Sequence, residues 1–551
     1  MNAKQDKTKT LQNYIEETEL INTIKEKYDY YDGVRAPQLT DNRLIKYAIY
    51  DSDIPKVNGW DCNIQLPEIY ELAQTLKSHI VQNLYSHPEG MFDVSGIDAQ
   101  TQTLANKQKA MLVNAFEKMK IENVMEKIID SVVETGEVTL FVGWETKTKK
   151  VRRALSFDEQ MEKQTPFPFI VEDRVVYDNA KVKFINYEDF VFDKNEVQNW
   201  DSCAKIYRTY QSLDDIRTNK SNNMLDQEKL EKLKGVVANK KNSKVPDKKI
   251  EVLEYWGDIE LKNGEILKNK LIVVAGRSVI IRFEDNPFIT NPFIHANIIE
   301  CPTTGRGISP LRVALILNNI SSTILNKQID ALALMMNPPY LAPKGCFKGQ
   351  QDVRPGKIIE YDSTLMTSSP TPLSFDKAMT GWDFLNYFKS TIESATGIFK
   401  NMAGNIQSQE RTATEINYSV NGQEARLNMI LESINRKIIV LMVEKTAEVI
   451  ANFKLGKEKI LVNNRGKIDY IEIDDTIRNS NYIYRYGDRK AIFERKSRLK
   501  ELFEVIKSFA QIDGMSGRID WLECFKFALE QYGIENSNNF LKEITPTDSK
   551  K

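Results

Sequence analysis

The sequence predicts a mixed α+β fold in which helices dominate. Two long segments with helical apolar spacing, residues 310–336 and 411–453, carry most of this prediction. Between residues 131 and 285, short runs rich in β-branched and aromatic residues predict strands instead. The chain has 551 residues, 41% hydrophobic and 28% charged, which is enough for two to four packed regions.

The first helices are expected between residues 65 and 130, where apolar residues recur every four positions. The residues with this spacing are Leu72, Leu76, Ile80 and Leu84. The segment 131–144 then predicts the end of a helix, a turn at Gly136 and the start of a strand. Further strands are expected within 167–177, 181–193 and 204–210. After them, Ser212 with Asp215 three residues later predicts a capped helix start.

Residues 219–249 are rich in lysine and asparagine, and this composition predicts a solvated, mobile loop. Strands are expected again at 250–260. Two apolar runs on either side of Ala275-Gly276-Arg277 then predict a β-hairpin within 271–283.

The character of the chain changes at residue 305. Ser309 suits an N-cap and Pro310 suits the first position of a helix that Asn337-Pro338-Pro339 would end. These 27 residues would span roughly 40 Å at 1.5 Å per residue. A second helix is expected from residue 381, after loops and short strands.

The segment 411–453 raises the question of what a long helix without evident chemistry does. One apolar stripe runs along it, through Ile416, Val420, Leu427, Leu431, Ile434, Ile438 and Leu441. Gly422 interrupts the stripe and predicts a bend or a close contact, because a helix-interior glycine costs about 1 kcal/mol relative to alanine. Strands near 459–473 and two final helices, the first at 488–510, complete the prediction.

The overall composition limits the possible function classes. A formal net charge of −1 argues against a protein that grips nucleic acid over its whole surface. Five scattered cysteines, an odd number without a CxxC pair, predict reduced thiols. The first residues lack the apolar core of a signal peptide, and the longest uncharged run, 313–326, is too short and polar to cross a bilayer.

The sequence contains none of several common catalytic motifs: GxxxxGK[ST], GxSxG and HExxH are all absent. The three histidines, His79, His87 and His295, are too far apart to suggest a zinc site. The one acidic cluster, Glu188, Asp189 and Asp193, could bind a cation through its oxygens, although a loop beside a strand is the favoured interpretation.

In order along the chain, several segments resemble those of bacteriophage portal proteins, of the kind found in short-tailed and crAss-like phages. The segments are YEDFVFD, EYWGD, GRGISPLRVALILNNISSTILNKQIDALALMMNPP, VRPGKIIEYD and TGIFKNMAGNIQSQERTATEI. No single segment is diagnostic by itself. The resemblance lies in their order and spacing over about residues 60–510.

The resemblance implies a ring, usually a dodecamer, at one vertex of the capsid. Double-stranded DNA would pass through its channel during packaging and ejection, without sequence-specific recognition. The implied partners are terminase, the major capsid and scaffold proteins, and later tail or adaptor proteins. The protein would be assembled in the host cytoplasm and reside in the virion, with no enzymatic activity, no cofactor and no membrane contact.

The resemblance also implies a division of the chain. In order, this is an N-terminal arm at 1–30, a wing at 31–304, a first stem helix at 305–337, a clip at 338–378, a second stem helix at 379–400, a tunnel loop and long helix at 401–453, a return to the wing at 454–480, and crown helices with a tail at 481–551.

Two sets of candidate site residues follow from this division. The polar stretch before the long helix would face DNA, because amides contact phosphate without trapping it; its residues are Lys400, Asn401, Asn405, Gln407, Ser408, Gln409 and Arg411. The clip would bind partners through Lys344, Lys348, Arg354 and Lys357. The alternatives are a plain polar loop between helices and ordinary solubilising surface charge.

Two other functions remain open from the sequence. One is a metal-dependent phage nuclease that uses Glu188, Asp189 and Asp193 with Mg²⁺. The other is a connector ring of a tail machine that self-associates but does not bind terminase.

Overall fold

A computed structural model describes residues 17–50, 62–84, 88–156, 159, 161, 169–239, 249–261, 264–336, 340–341, 364, 371–372, 382–398, 426–464 and 467–487. About half of these residues are helical, and the rest include sixteen strands, so the fold is mixed α+β as predicted.

The helices, in chain order, are α1 Glu17–Tyr50, α2 Glu68–Asn83, α3 Pro88–Met91, α4 Ala99–Met119, α5 Glu122–Thr135, α6 Leu213–Thr218, α7 Gln227–Asn239, α8 Arg312–Met336, α9 Trp382–Thr396, α10 and α11 Asp475–Asn479. Helix α10 is continuous from residue 426 and consists of an α-helical part 426–434, a π-helical part Asn435–Val440 and an α-helical part Leu441–Phe453.

The strands are β1 Phe92–Gly96, β2 Glu137–Ala154, β3 Phe169–Ile185, β4 Phe190–Phe192, β5 Lys205–Gln211, β6 Ile250–Glu260, β7 Ile266–Ala275, β8 Val279–Asp285, β9 Phe293–Asn297, β10 Glu300–Cys301, β11 Arg306–Gly307, β12 Tyr340–Leu341, β13 Thr371–Pro372, β14 Glu458–Asn464, β15 Lys467–Ile473 and β16 Tyr482–Tyr486.

Two antiparallel sheets form most of the β structure. One has the order β3-β2-β9 and the other the order β4-β5-β6-β7-β8. Strands β2 and β3 pair along almost their whole length, from Thr139↔Ile185 to Ala154↔Phe169, whereas β9 reaches only as far as Phe141 of β2. The outer part of the β2–β3 hairpin is therefore a two-stranded extension of the sheet.

Three apolar clusters hold these elements together. The largest joins α2, α4 and α5 with β2, the first turn of α8, and α10. A second lies between α1 and one face of the five-stranded sheet, where Leu20, Ile24 and Tyr28 are almost completely buried. The third cluster covers the other face of that sheet and includes Leu233 of α7.

The predicted turns and caps recur in the structure. Helix α5 ends at Gly136, whose φ of 72° is left-handed. Ser212 and Asp215 form a capping box at the start of α6. Gly276 and Arg277, with φ of 58° and 54°, make the turn between β7 and β8, as the two flanking apolar runs predicted.

The prediction of a solvated loop at 219–249 is wrong for residues 227–239, which form α7. The side chain of Asp226 accepts a hydrogen bond from the backbone N–H of Lys229 and so caps the helix. Leu233 is fully buried in the third cluster. The lysine-rich composition obscured this packing. Lys232 and Lys234 are exposed, whereas Lys229, one turn before Leu233, is largely buried and donates to the carbonyl of Ile280.

Other predicted elements differ in extent. Helix α8 begins at Arg312 rather than Pro310, with Ser309 accepting a hydrogen bond from the backbone N–H of Leu311. Helix α1 runs without a break across residue 30, where the predicted arm would end. Residues 482–486, placed in the predicted crown, form β16 and pair with β1. Gly422, most of the clip region and the helices expected from 488 onward lie outside the described residues.

Candidate functional site at helix α8

A buried ion pair fixes the start of α8 to the rest of the body. The Nη1 atom of Arg306 lies 3.1 Å from Oε1 of Glu137, and both side chains are almost fully buried. The backbone N–H of Gly307 donates to the other carboxylate oxygen of Glu137 at 3.0 Å. One carboxylate at the start of β2 therefore holds both the side chain and the backbone of the segment that leads into α8.

Two glycines permit this close approach. A Cβ atom on Gly136 would lie 2.0 Å from the carbonyl oxygen of Ile308, and one on Gly307 would lie 2.4 Å from the carbonyl oxygen of Gly136. Both distances are far shorter than carbon–oxygen contact allows. The turn at the end of α5 and the segment before α8 can cross only because neither residue has a side chain.

Helices α1 and α5 add further hydrogen bonds at the same place. The side-chain amide of Gln38 donates to the carbonyl of Gly307 at 2.6 Å and accepts from the hydroxyl of Thr304. The hydroxyl of Ser309 donates to the carbonyl of Val133 at 2.7 Å. We call this set of contacts around residues 304–309 the root of α8.

Aromatic rings surround the root on one side. The guanidinium of Arg306 lies 4.4 Å from the ring centroid of Phe192. His295 packs against the rings of Phe190, Phe192 and Trp200. Burial lowers the pKa of His295 to about 4, so its imidazole is neutral at pH 7. A neutral imidazole is favoured here, because a charged one would repel the nearby guanidinium of Arg306.

Helix α8 exposes aliphatic side chains to solvent along one side. Val313, Ile316 and Ile320 are 54%, 60% and 41% exposed, and their spacing of three and four residues places them on one side of the helix. We call these three residues the outer stripe. The fully buried positions from residue 318 onward are all polar; they are Asn318, Ser321, Ser322, Gln328 and Asp330. From residue 318 onward this distribution is the reverse of an ordinary surface helix, whereas the first turn buries Ala314 and Leu315 in the usual way.

Helix α9 packs against α8 and shares its character. Its Lys389 forms an ion pair of 2.9 Å with Glu68 at the start of α2. Two aromatic side chains one turn apart, Phe384 and Tyr387, are 58% and 64% exposed. The two neighbouring helices thus both present large apolar side chains to solvent.

Helix α10 contacts the body through the predicted stripe as far as Ile438, whereas Leu441, predicted on the same stripe, is 39% exposed. Leu427, Leu431, Ile434 and Ile438 are buried, and the π-helical part allows Ile439 to be buried directly after Ile438. Lys437 donates to the carbonyl of Asn297 at 2.8 Å. The one extra residue of a π-helical turn shifts the apolar side of the helix by one position, which sequence periodicity alone did not indicate.

The acidic cluster that suggested a nuclease is engaged by other side chains. Asp189 pairs with Arg208 at 2.9 Å, and Asp193 accepts a hydrogen bond from the hydroxyl of Tyr31. Burial alone would raise the pKa of Glu188, but the hydrogen bond and charge of Arg43 hold it below its usual value. Among the described residues, no three His, Cys, Asp or Glu side chains are grouped as metal ligands.

The predicted channel and clip residues all lie outside the described residues. This holds for the channel candidates Lys400, Asn401, Asn405, Gln407, Ser408, Gln409 and Arg411, and for the clip candidates Lys344, Lys348, Arg354 and Lys357. The sequence interpretation missed the root and the outer stripe. A helical wheel of 312–336 contains the signal, since polar residues at 318, 322, 326 and 330 recur every four positions opposite the stripe.

The site therefore combines an anchored helix start with an exposed apolar surface. In the part of the chain that the structure describes, no helix is both long and apolar enough to span a membrane.

A family model described as phage SU10 portal protein matches residues 156–477, more than half of the chain. The matched range includes the five-stranded sheet, residues 304–309 of the root, α8, α9 and α10. No curated protein matches the chain.

Proposed function

The chain belongs to the phage SU10 portal protein family, and from this premise we propose that its copies assemble into a ring at one vertex of the capsid. The ring, a dodecamer in this proposal, conducts double-stranded DNA during packaging and ejection. It docks terminase first and tail or adaptor proteins later, and it sits among the major capsid and scaffold proteins in the virion.

The exposed apolar surface of α8 is the observation that supports assembly most strongly. Three aliphatic side chains on one face of α8, together with two exposed aromatic side chains on the neighbouring helix α9, are unfavourable in water. A neighbouring copy in a ring would cover them. We propose that the outer stripe is part of the contact between subunits.

The root supports a load-transmitting role for α8. A helix of 25 residues reaches about 37 Å at 1.5 Å per residue. Its start is fixed by the Glu137–Arg306 pair and by hydrogen bonds to α1 and α5. In this proposal α8 and α9 are the two stem helices that connect the wing at 31–304 to the clip at 338–378.

The portal family is structural and non-enzymatic, and the chain is therefore not an enzyme. The pairing of Asp189 with Arg208 and of Glu188 with Arg43 agrees with this conclusion and disfavours the nuclease. A connector ring without terminase binding would share the outer stripe. The family match favours the portal over that alternative.

The predicted channel and clip residues remain part of the proposal. Amide side chains between 400 and 411 would let DNA slide, because they contact phosphate without the net charge that holds it. The crown and tail of 481–551 and the remaining divisions of the chain are proposed on the family resemblance alone.

Charge reversal in the clip tests partner docking. If Arg354 and Lys357 bind terminase, Arg354→Glu with Lys357→Glu abolishes motor docking and leaves the ring intact. Co-sedimentation of assembled rings with terminase measures this. Docking that persists in the double variant would end the clip assignment.

Assembly through the outer stripe is tested by Ile316→Asp and Ile320→Asp. A carboxylate in an apolar contact between subunits loses its hydration, so we expect each variant to shift the protein from rings to monomers. Native mass spectrometry of the full chain measures the assembled fraction.

Asn319→Asp is the matched control, because residue 319 is also exposed on α8 but lies beside the stripe. It introduces the same charge and should leave the assembled fraction unchanged. Equal assembly of all three variants would show that the stripe is not the contact.

A further inference from the structure

A short segment that leads into α2 lies along the polar side of α8. Three backbone N–H groups of residues 62–66, which we call the strap, donate to side chains of the helix. Cys62 donates to Asp330 Oδ1 at 2.7 Å, Ile64 to Asn326 Oδ1 at 2.9 Å, and Leu66 to Ser322 Oγ at 3.0 Å. The amide of Asn326 also donates to the carbonyl of Ile64 at 3.0 Å.

These contacts form a regular ladder. Each step takes two residues of the strap and four residues of the helix, in opposite chain directions. Four helical residues advance about 6 Å, and two residues of extended chain advance about 6.6 Å. The two spacings match closely enough for every second strap residue to meet the next turn of α8. The helix thus binds the backbone of the strap much as a neighbouring strand would.

The ladder explains part of the polar burial on α8, since Ser322 and Asp330 are buried acceptors in it. The first turns of the helix are held in the usual way by Leu311, Ala314 and Leu315, which are buried in the largest cluster. Beyond residue 317 the fully buried positions are polar, and Asn318 is fully buried with no hydrogen-bond partner for either amide atom among the described residues. The ladder offsets the cost of burying polar groups for its own members, Ser322, Asn326 and Asp330.

We propose that the strap sets the rotation of α8 and thereby keeps the outer stripe facing outward for the neighbouring subunit. Without the ladder, the hydrophobic effect would favour rotating the part of α8 beyond residue 317 so that Ile320 turns toward the body. The strap is in this sense a positioning device for assembly. This inference rests on the proposed function, in which the outer stripe is a contact between subunits.

The test removes the ladder side chains from the full chain by combining Ser322→Ala, Asn326→Ala and Asp330→Ala. The control combines Asn319→Ala and Thr323→Ala, which truncate exposed polar side chains of the same helix. Hydrogen exchange of the peptide containing residues 62–66 reports the strap, and native mass spectrometry reports assembly.

We expect exchange in the strap to accelerate roughly tenfold or more in the ladder variant, since each amide loses its acceptor. Exchange in β6 and β7 should stay as in the wild type, and the assembled fraction should fall. The control should match the wild type in all three respects. Asp330→Asn keeps an oxygen acceptor at the same place and should preserve both protection and assembly.

Two results would overturn the inference. One is fast exchange in the strap with full assembly, which would leave the proposed function intact because the stripe would still bind its neighbour. The other is unchanged exchange in the strap. If instead Ile320→Asp assembles normally, the proposed contact fails, whatever the ladder variants do. If the triple variant unfolds, Asn326→Ala alone is measured in its place, because it removes only one of the three side chains of the ladder.

Discussion

Helices α8 and α10 differ in the kind of side chain that they bury against the body. In α10, Ile438, Met442, Val443 and Ile450 are buried. Its exposed apolar side chains, Met429, Leu441 and Phe453, are each twelve residues apart and do not lie on adjacent turns. In α8, the first turn buries Ala314 and Leu315, but from residue 318 onward the buried residues are polar, and the outer stripe is exposed. The sequences of both helices are amphipathic, so amphipathicity alone does not tell which face points inward. On the proposed function, the apolar side of α10 is covered within one subunit, whereas the outer stripe of α8 is covered only by a neighbouring subunit.

The largest expected effect breaks the anchorage of α8. Glu137→Ala would leave Arg306 buried and unpaired, so we expect the free energy of unfolding to fall by about 3–5 kcal/mol. Urea denaturation measures it. Glu172→Ala is the matched control: it removes an exposed Glu–Arg pair, with Arg153, and should change stability by less than about 1 kcal/mol. Equal effects of the two substitutions would contradict the role of the root.

The same truncation on the two helices sharpens the comparison directly. Ile438→Ala in α10 should lower the free energy of unfolding by about 2–5 kcal/mol, because Ile438 is fully buried. Ile316→Ala in α8 should change it by less than about 0.5 kcal/mol when measured on dilute, monomeric chain. When the assembled fraction is measured at high concentration, we expect Ile316→Ala to have the larger effect and Ile438→Ala the smaller. A large loss of monomer stability from Ile316→Ala would show that its face is already covered.

We expect acid to lower the folded stability through His295 in the packed body, and not through the aliphatic side chains of the outer stripe. The pKa of His295 is lowered to about 4 in the folded chain, from 6.5. The unfolded chain therefore binds the proton first as pH falls, and folded stability decreases between pH 6.5 and 4. Allowing for partial exposure of the ring, the loss is about 2 kcal/mol. His295→Phe should make the stability less dependent on pH in this window, and an unchanged slope would contradict the assignment.

The sequence predicted those parts of the fold that depend on local chemistry. Ser309, Ser212, Gly136 and Gly276 are turn or cap residues, and each marks a boundary close to its predicted position. Helix α7 was missed because its apolar face is short and surrounded by lysines. The pattern of residues within one segment decides such features, so they can be read without knowing the rest of the chain.

The candidate site depends on residues that are distant in the sequence. Glu137 and Arg306 are 169 positions apart, and Cys62 and Asp330 are 268 apart. The local sequence of α8 does not show that the backbone of the strap forms hydrogen bonds with the polar side of the helix. The exposed stripe could therefore be recognised only once the partner of the opposite face was known. The predicted channel and clip residues stay predictions.

Native mass spectrometry of the purified full chain, with negative-stain imaging of the same sample, tests the central claim most directly. The account predicts a closed ring with a central opening, and a mass that is a whole multiple of the 63.4 kDa subunit. A chain that remains monomeric, both alone and after mixing with the capsid and scaffold proteins, would contradict it.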